Sequence, residues 1–588
     1  MTPALRYSQL AVQVLVVGLA IWQIVTLAQC WWIRANYPYD IEWMEGATLI
    51  SALRLTHGQA IYGVPDATYI PFIYPPLYPW LVAVFSRVFP FGYALGRSIS
   101  IAGTLSGVAA LMFGARELGA KWWLTLGCAA IFLGTFEDSG SFFDLVRIDG
   151  VSIGLTGWAL VLAAGSTPGR AIAGGLFLAA AFTCKHHVAA FGFPIAAALW
   201  YRDGRAQALR FGLAAALPAL LFIAVMQVGT DGRFLLWIFE VPSHHGIVSN
   251  RFWPTLNIHS WKPFRYETSG GGIEVFQATP ILWVVAAGVW LRAHWRDLVG
   301  AGQRKAMLQL GGWLLGIGVL GTVVGFAVPG LRALVNNYAI TALWIVLLSI
   351  GIVVALVQSG RARTPLATSP RFFYWFFVSL MGFFLASLMR GHVGGYTNVL
   401  MPMMWLQALW PALLVRRAGD GKGALALAFA VAAQIWIGHS DYKKDTPNAD
   451  DVKQGDALIE ELRALPDPLL LTDAPYYAVL SGHDPSFALI ALWDISDRGC
   501  PPAAGVAGIH KLMQQQYWKS GVFPDGKPGS GIERGYHLAR KLKTPGPRTL
   551  TGWPVKLRDI WEPKPASQMA NLPPAPDDDA ETSDPNAP

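Results

Sequence analysis

Three carboxylates, Asp40, Glu42 and Glu45, fall within six positions of ANYPYDIEWMEGATLISALRLTHGQAIY, directly after an apolar run that ends VTLAQCWWI. Three further stretches share this character. FEDSGSFFDLVRIDGVSIG crowds Glu137, Asp138, Asp144, Arg147 and Asp149 into one connection. FTCKHHVAAFG sets Lys185, His186 and His187 between apolar runs, and MRGHVGGYTNVLMP carries Arg390, His392, Tyr396 and Asn398. Residues of these types exchange protons and hold charged groups. Beside long apolar runs they are costly unless partnered or in contact with water, which makes them candidates for a site. Blander roles exist for some of them. Acidic residues cap helix starts, Lys185 is long enough to snorkel to an interface, and adjacent His186 and His187 are a weak signal for metal ligation. Three carboxylates at one boundary still exceed what capping needs.

The elements that position these residues follow from composition. The chain has 588 residues, of which 53% are hydrophobic and 14% charged, with 25 Trp, and this excludes an ordinary water-soluble globule. Apolar runs approaching the roughly 20 residues that a transmembrane helix needs recur to position 438. They predict an α-helical polytopic membrane protein of about thirteen spans, near 8–33, 95–115, 122–136, 150–164, 171–184, 188–200, 211–228, 279–291, 307–328, 338–357, 372–389, 397–415 and 423–438. The first run is read as an uncleaved helix, because its apolar region is too long for a signal peptide and Gln29 and Trp31-Trp32 flank Cys30. Cys30, Cys128 and Cys184 lie in predicted spans and Cys500 stands alone, so no disulfide framework or metal-binding Cys spacing is visible.

Lys and Arg alternate between connections. One set holds Arg6, Arg116, Lys121, Arg170, Arg202, Arg205, Arg210, Arg292, Arg296, Arg304, Lys305, Arg361, Arg363, Arg371, Arg416, Arg417 and Lys422. That is 17 basic residues in about 65 positions, against 11 in about 143 for the other set. The basic set is expected in the cytoplasm, which accounts for much of the net charge of +8 without nucleic acid, and no nucleic-acid motif is present. All four clusters then reach the outer face, as does the region after 439. The carboxylates of 40–45 are expected on an amphipathic helix buried through Ile41, Met44, Leu49 and Ala52 and stopped by His57-Gly58, with Asp40 at its N-terminus and Glu42 and Glu45 on one face. The following YIPFIYPPLYPWLVAVFSRVFPFG is broken by prolines and contains Arg87, so 34–94 is read as a juxtamembrane loop without a span.

Residues 439–562 read as a small C-terminal α/β domain, with GDALIEELRAL and APYYAVLSG as helices around a PLLLTD strand. From Pro563 the chain lacks apolar content and is expected to be disordered.

In order along residues 8–200, YDIEWMEG, YPPLYPWLVAVFSRVF, LGRSISIAGTLSG, RIDG and TCKHH resemble the GT-C glycosyltransferases, in particular the family 39-like enzymes related to protein O-mannosyltransferases and the lipid A aminoarabinose transferase. Relatives commonly carry an adjacent Asp-Glu pair where this chain spreads Asp40, Glu42 and Glu45. The resemblance implies a GT-C fold over 1–438 and transfer of a sugar from a polyprenyl-phosphate carrier to a lipid, glycan or protein acceptor at the outer face of a bacterial cytoplasmic membrane. In that chemistry the acceptor hydroxyl loses a proton to a carboxylate, and a cation stabilises the departing lipid phosphate. The base stays open among Asp40, Glu42 and Glu45, with Asp40 or Glu45 the expected one, Glu45 because Glu45-Gly46 leaves room for close approach of substrate. Lys185, Arg147 and Arg390 are the expected phosphate cations, and Asp149, His186, His392, Asn398 and Tyr74 complete the expected substrate-binding set. No cofactor is called for, and a divalent metal is left open. The rival readings are a lipid-linked glycan ligase or polymerase and a transporter, although transporters gather polar groups nearer the bilayer midplane.

Overall fold

In a computed structural model the protein is described over residues 2–246, 278–279, 281–282, 370–418, 421–496, 500, 503–525, 528 and 532–569. The predicted spans 307–328 and 338–357, and nearly all of 279–291, lie outside the described residues.

The first nine helices are α1 (Pro3–Asn36), α2 (Glu45–Thr56), α3 (Leu77–Phe85), α4 (Tyr93–Glu117), α5 (Trp122–Gly134), α6 (Asp149–Ala163), α7 (Pro168–Phe182), α8 (Gly192–Asp203) and α9 (Arg205–Gly229). Apolar helices Pro370–Gly391, Met401–Ala418 and Lys422–Ile437 follow. Helices thus occupy ten of the predicted spans. Among the described residues five are long and apolar enough to cross a membrane: Pro3–Asn36, Tyr93–Glu117, Arg205–Gly229, Tyr374–Gly391 and Thr397–Val415. Four others, such as Trp122–Gly134, are apolar but shorter. At 1.5 Å per residue, 13 residues give about 20 Å, less than a hydrocarbon core of about 30 Å.

Close approach of α4 and α6 depends on glycine. Gly103 and Gly107 on α4 face Gly150 and Gly154 on α6, and a Cβ on Gly103 would lie 2.6 Å from the Val151 backbone. Small residues four apart let helix backbones approach, as in membrane helix pairs generally. Trp405 locks a third helix onto this pair by donating from Nε1 to the Gly107 carbonyl at 2.8 Å.

In the juxtamembrane region α2 begins at Glu45, so Asp40 lies ahead of the helix and not at its N-terminus. Ile41, Met44, Leu49 and Ala52 are buried and His57 is the C-cap, with Gly58 following at φ +69°. α3 has only 9 residues and is too short to span.

After residue 439 the chain forms a four-stranded sheet with flanking helices. Strands β1 (Leu469–Leu470), β2 (Ser520–Pro524), β3 (Tyr536–Lys541) and β4 (Leu557–Pro563) lie in the order β1-β2-β4-β3. β1 runs parallel to β2, and β4 is antiparallel to both neighbours. The helix Ala449–Arg463 opens with a reciprocal cap between Asn448 and Asp451 and buries Leu458, Ile459 and Leu462. Order extends further than the sequence predicts. Pro563 ends β4, whose Ile560 is fully buried, and Ala566–Met569 forms one more helical turn. Residues 570–588 lie outside the described residues.

This region sits on the loop after α1. Tyr39 Oη donates to Asp456 at 2.6 Å, the Asp40 N–H to Tyr477 Oη at 3.1 Å, and the Leu550 N–H to the Ile41 carbonyl at 2.8 Å. Thr551 Oγ1 donates to the Gly140 carbonyl at 2.5 Å, tying the same segment to the loop after α5.

Candidate active site

Arg97, one turn into α4, organises the carboxylate loop. Its Nε and Nη2 bind Glu45 Oε1 and Oε2 at 2.9 and 2.7 Å, and its remaining N–H groups donate to the carbonyls of Arg34, Tyr37 and Tyr39 at 2.5–2.8 Å. Glu45 also accepts from the backbone N–H of Ile41 at 2.7 Å, Glu42 at 3.3 Å and Val146 at 2.8 Å. Burial alone would raise the Glu45 carboxyl, but the Arg97 charge and these hydrogen bonds hold it below the usual range. A fully buried ion pair is tolerable only when its remaining polar atoms are satisfied, and here they are. Arg34 and Asp144 form a second buried pair at 2.7 Å, extended by Arg34 to the carbonyls of Ser141 and Asp445, both at 2.8 Å.

Two smaller groups lie against this frame. In the first, Glu42 Oε2 faces Arg147 Nη1 at 3.4 Å, and the Arg147 guanidinium stands 5.8 Å from the Tyr74 ring and 5.6 Å from Phe142. Burial pushes the Glu42 carboxyl up to about 7, with Arg147 opposing the rise and Glu45 adding to it. Burial also pushes the Tyr74 hydroxyl up to about 12 against the Arg147 charge. In the second group Asp149 Oδ1 accepts from Lys185 Nζ at 2.7 Å and Asn398 Nδ2 at 3.0 Å, while its Oδ2 is buried without a hydrogen-bond partner. Lys185 is brought there by the turn after α7, where Cys184 Sγ donates to the Ile148 carbonyl at 3.3 Å. Asn398 arrives on the 3-10 turn Thr397–Leu400.

Asp40 takes Tyr93 Oη at 2.8 Å and the Gly46 N–H at 2.9 Å on Oδ1, and its Oδ2 is buried without a hydrogen-bond partner. Burial, then the charge on Glu45, drives this carboxyl well above its usual range despite both hydrogen bonds. Burial and Lys185 push His186 down to about 4, so its ring is neutral near pH 7, and it packs 5.5 Å from Phe239. Arg390 donates to the Gly395 carbonyl within its own turn at 2.6 Å, and His392 stands 5.2 Å from His245. Among the described residues no three His, Cys, Asp or Glu gather as a metal site, and each of Glu42, Glu45 and Asp149 already faces a cation.

Asp40, Glu42, Glu45, Tyr74, Arg147, Asp149, Lys185 and Asn398 therefore meet in one region. Two details differ from the sequence expectation. Glu42 and Glu45 do not share a helix face, because Glu42 precedes α2 and turns to Arg147 while Arg97 draws Glu45 away. The room at Gly46 is filled by this chain itself, since a Cβ there would meet Tyr476 Cβ at 2.8 Å. Sequence reasoning missed Arg97 and the Arg34–Asp144 pair. A signal was present, since an arginine one turn inside an apolar span requires a buried partner.

No family model and no curated relative matches the chain. Among solved structures the chain is similar to ArnT from Cupriavidus metallidurans bound to undecaprenyl phosphate, at 14% identity over 92% of this chain and 98% of that one, with a TM-score of 0.43. It is also similar to the apo state of the same protein, at 15% identity, the same coverage and a TM-score of 0.41. ArnT is the lipid A aminoarabinose transferase, a GT-C fold enzyme and one of the proteins that the sequence resembles.

Proposed function

We propose that the chain is a membrane glycosyltransferase that moves a sugar from a polyprenyl-phosphate carrier to a hydroxyl acceptor at the outer face of the cytoplasmic membrane. The observation that carries this reading is the pairing of two functions in one buried region. Glu42, with a carboxyl near 7, lies beside Arg147, and the Asp149–Lys185–Asn398 group sits two residues along the chain from Arg147. A general base works best when its pKa lies near the operating pH. Glu45, wrapped by Arg97, and Asp40, whose carboxyl is driven by burial well above its usual range, suit that role less well.

In the proposed step the acceptor oxygen forms a bond to the anomeric carbon and gives its proton to Glu42. The bond from that carbon to the phosphate oxygen breaks, and the lipid phosphate leaves with the electron pair. Lys185 and Arg147 meet the charge that develops on the phosphate, where a preorganised cation in a dry site is most effective. Asp149, held by Asn398, orients Lys185 and has a second oxygen to bind a sugar hydroxyl.

The test uses purified protein in nanodiscs with a panel of synthetic polyprenyl-phosphate sugars, a bacterial envelope extract as acceptor, and release of polyprenyl phosphate as readout. Lys185→Ala should raise KM for the lipid donor, and Lys185→Arg should restore part of the activity, since it keeps the charge but changes its geometry. Transfer from a nucleotide sugar without any lipid carrier would overturn the proposal.

A further inference from the structure

Next to Glu42 three tryptophans from distant parts of the chain converge. Trp43 and Trp493 have ring centroids 5.9 Å apart, Trp43 and Trp553 6.4 Å, and Trp493 and Trp553 6.2 Å. Their planes meet at 53°, 44° and 90°, so the indoles form a corner and not a stack. The corner adjoins the candidate base. Trp43 follows Glu42 directly, and Trp553 follows Gly552, where a Cβ would lie 2.8 Å from Glu42 Oε1. Trp493 is the penultimate residue of the helix Leu489–Asp494, and the carbonyl of Asp494 meets His245 Nε2 at 2.8 Å.

Simple packing between the C-terminal region and the loop after α1 explains this poorly. The residues that carry that packing, Tyr39, Tyr476 and Tyr477, are 4–6% exposed, whereas Trp493 is 37% exposed and Trp43 and Trp553 are half-buried. Indoles that keep part of their surface exposed beside the Glu42 carboxylate suit a ligand with an apolar face and a hydrophilic edge. A pyranose ring is such a ligand, with C–H bonds on its face and hydroxyls around its rim. An acyl chain would gain nothing from the Glu42 carboxylate beside the corner.

We propose that Trp43, Trp493 and Trp553 form an acceptor subsite that seats a pyranose ring and turns one of its hydroxyls toward Glu42. The acceptor is then a glycan or a sugar-bearing lipid. This inference rests on the reading of Glu42 as proton acceptor, and it gives the C-terminal region a part in acceptor selection, because two of the three indoles come from it.

Binding is tested apart from transfer, by saturation-transfer difference NMR on the full chain in nanodiscs free of sugar detergents, with methyl β-D-glucopyranoside as probe and cyclohexanol as apolar control. Saturation should reach the ring C–H protons of the pyranoside, and Trp493→Ala and Trp553→Ala should each reduce it by about fivefold, the scale of one lost aromatic contact, without moving the thermal midpoint. Trp493→Phe should keep much of the signal. In transfer assays with a sugar-bearing acceptor the alanine variants should raise acceptor KM and leave donor KM unchanged. Unchanged saturation in the Trp493→Ala/Trp553→Ala double variant would overturn the subsite, as would equal saturation of cyclohexanol. Pyranoside binding that depends on the tryptophans, together with full turnover in Glu42→Gln, would instead keep the subsite and remove the proton-acceptor reading.

Discussion

At the residue scale the three clustered carboxylates divide their labour through their partners. Glu45 is saturated by Arg97 and three backbone N–H groups, Asp40 is held by Tyr93 and Gly46, and Glu42 takes only the Met44 N–H at 3.2 Å and a long contact to Arg147 at 3.4 Å. Glu42→Gln should therefore lower turnover by about 100-fold with little change in thermal midpoint, on the usual scale for loss of a general base. Glu45→Gln should instead destabilise the fold by roughly 3–5 kcal/mol, the range for leaving one partner of a buried pair uncompensated, here Arg97. Equal thermal midpoints for the two variants would refute this division. A pH profile gives a second check. Glu42 must be ionised to accept a proton and its carboxyl is raised to about 7, so the rate should climb with pH and level off above that value. Arg147→Met removes the charge that opposes the rise and should shift the climb to higher pH, a change visible in rates measured between pH 5 and 9.

At the scale of elements, the distance between the two halves of the site is set by α4 and α6. α4 carries Arg97, which fixes Glu45 and the loop that presents Glu42, while α6 begins with Asp149. Their contact runs through Gly103, Gly107, Gly150 and Gly154, where an added Cβ on Gly150 would lie 2.3 Å from the Ser100 carbonyl oxygen. Gly150→Val and Gly103→Leu should therefore push the helices apart, lower the thermal midpoint and abolish activity. Gly169→Ala, at a position with nothing within 4 Å, should leave both unchanged. Thermal unfolding followed by intrinsic fluorescence, paired with the transfer assay, checks this, and wild-type behaviour of Gly150→Val would show that the helices do not meet there.

At the scale of the molecule, the region after residue 439 and the loop after α1 share one end of the helix bundle, through Tyr39–Asp456, Asp40–Tyr477 and Ile41–Leu550. From the alternation of basic connections, that end is proposed to lie outside the cell. Alkaline phosphatase fused after residue 440, and again after residue 588, should be active in both positions, whereas a fluorescent protein that matures only in the cytoplasm should be dark. The reverse pattern would invert the topology and remove the lipid-linked donor from the proposal. Tyr477→Phe should be nearly silent in this assay and should lower activity modestly, because it frees the Asp40 N–H that the Tyr477 hydroxyl now accepts.

The amino-acid sequence by itself determined the membrane class, the ends of many apolar helices and the list of polar residues at one rim. The reason is local. Apolar periodicity, Gly and Pro placement and the cost of charge beside lipid act on residues close in sequence. Eight of the residues picked out in this way do meet in the structure. What they do to one another was decided only in three dimensions. Arg97 and Glu45 are 52 positions apart, Arg147 and Glu42 105, Asn398 and Asp149 249, and no periodic pattern links such pairs. Glu42 and Glu45 are near equivalents as a sequence, and the difference between a structural anchor and a candidate base arises from which arginine each one meets. The tryptophan corner has the same origin, since Trp43, Trp493 and Trp553 become neighbours only when the C-terminal region docks on the loop that carries Glu42.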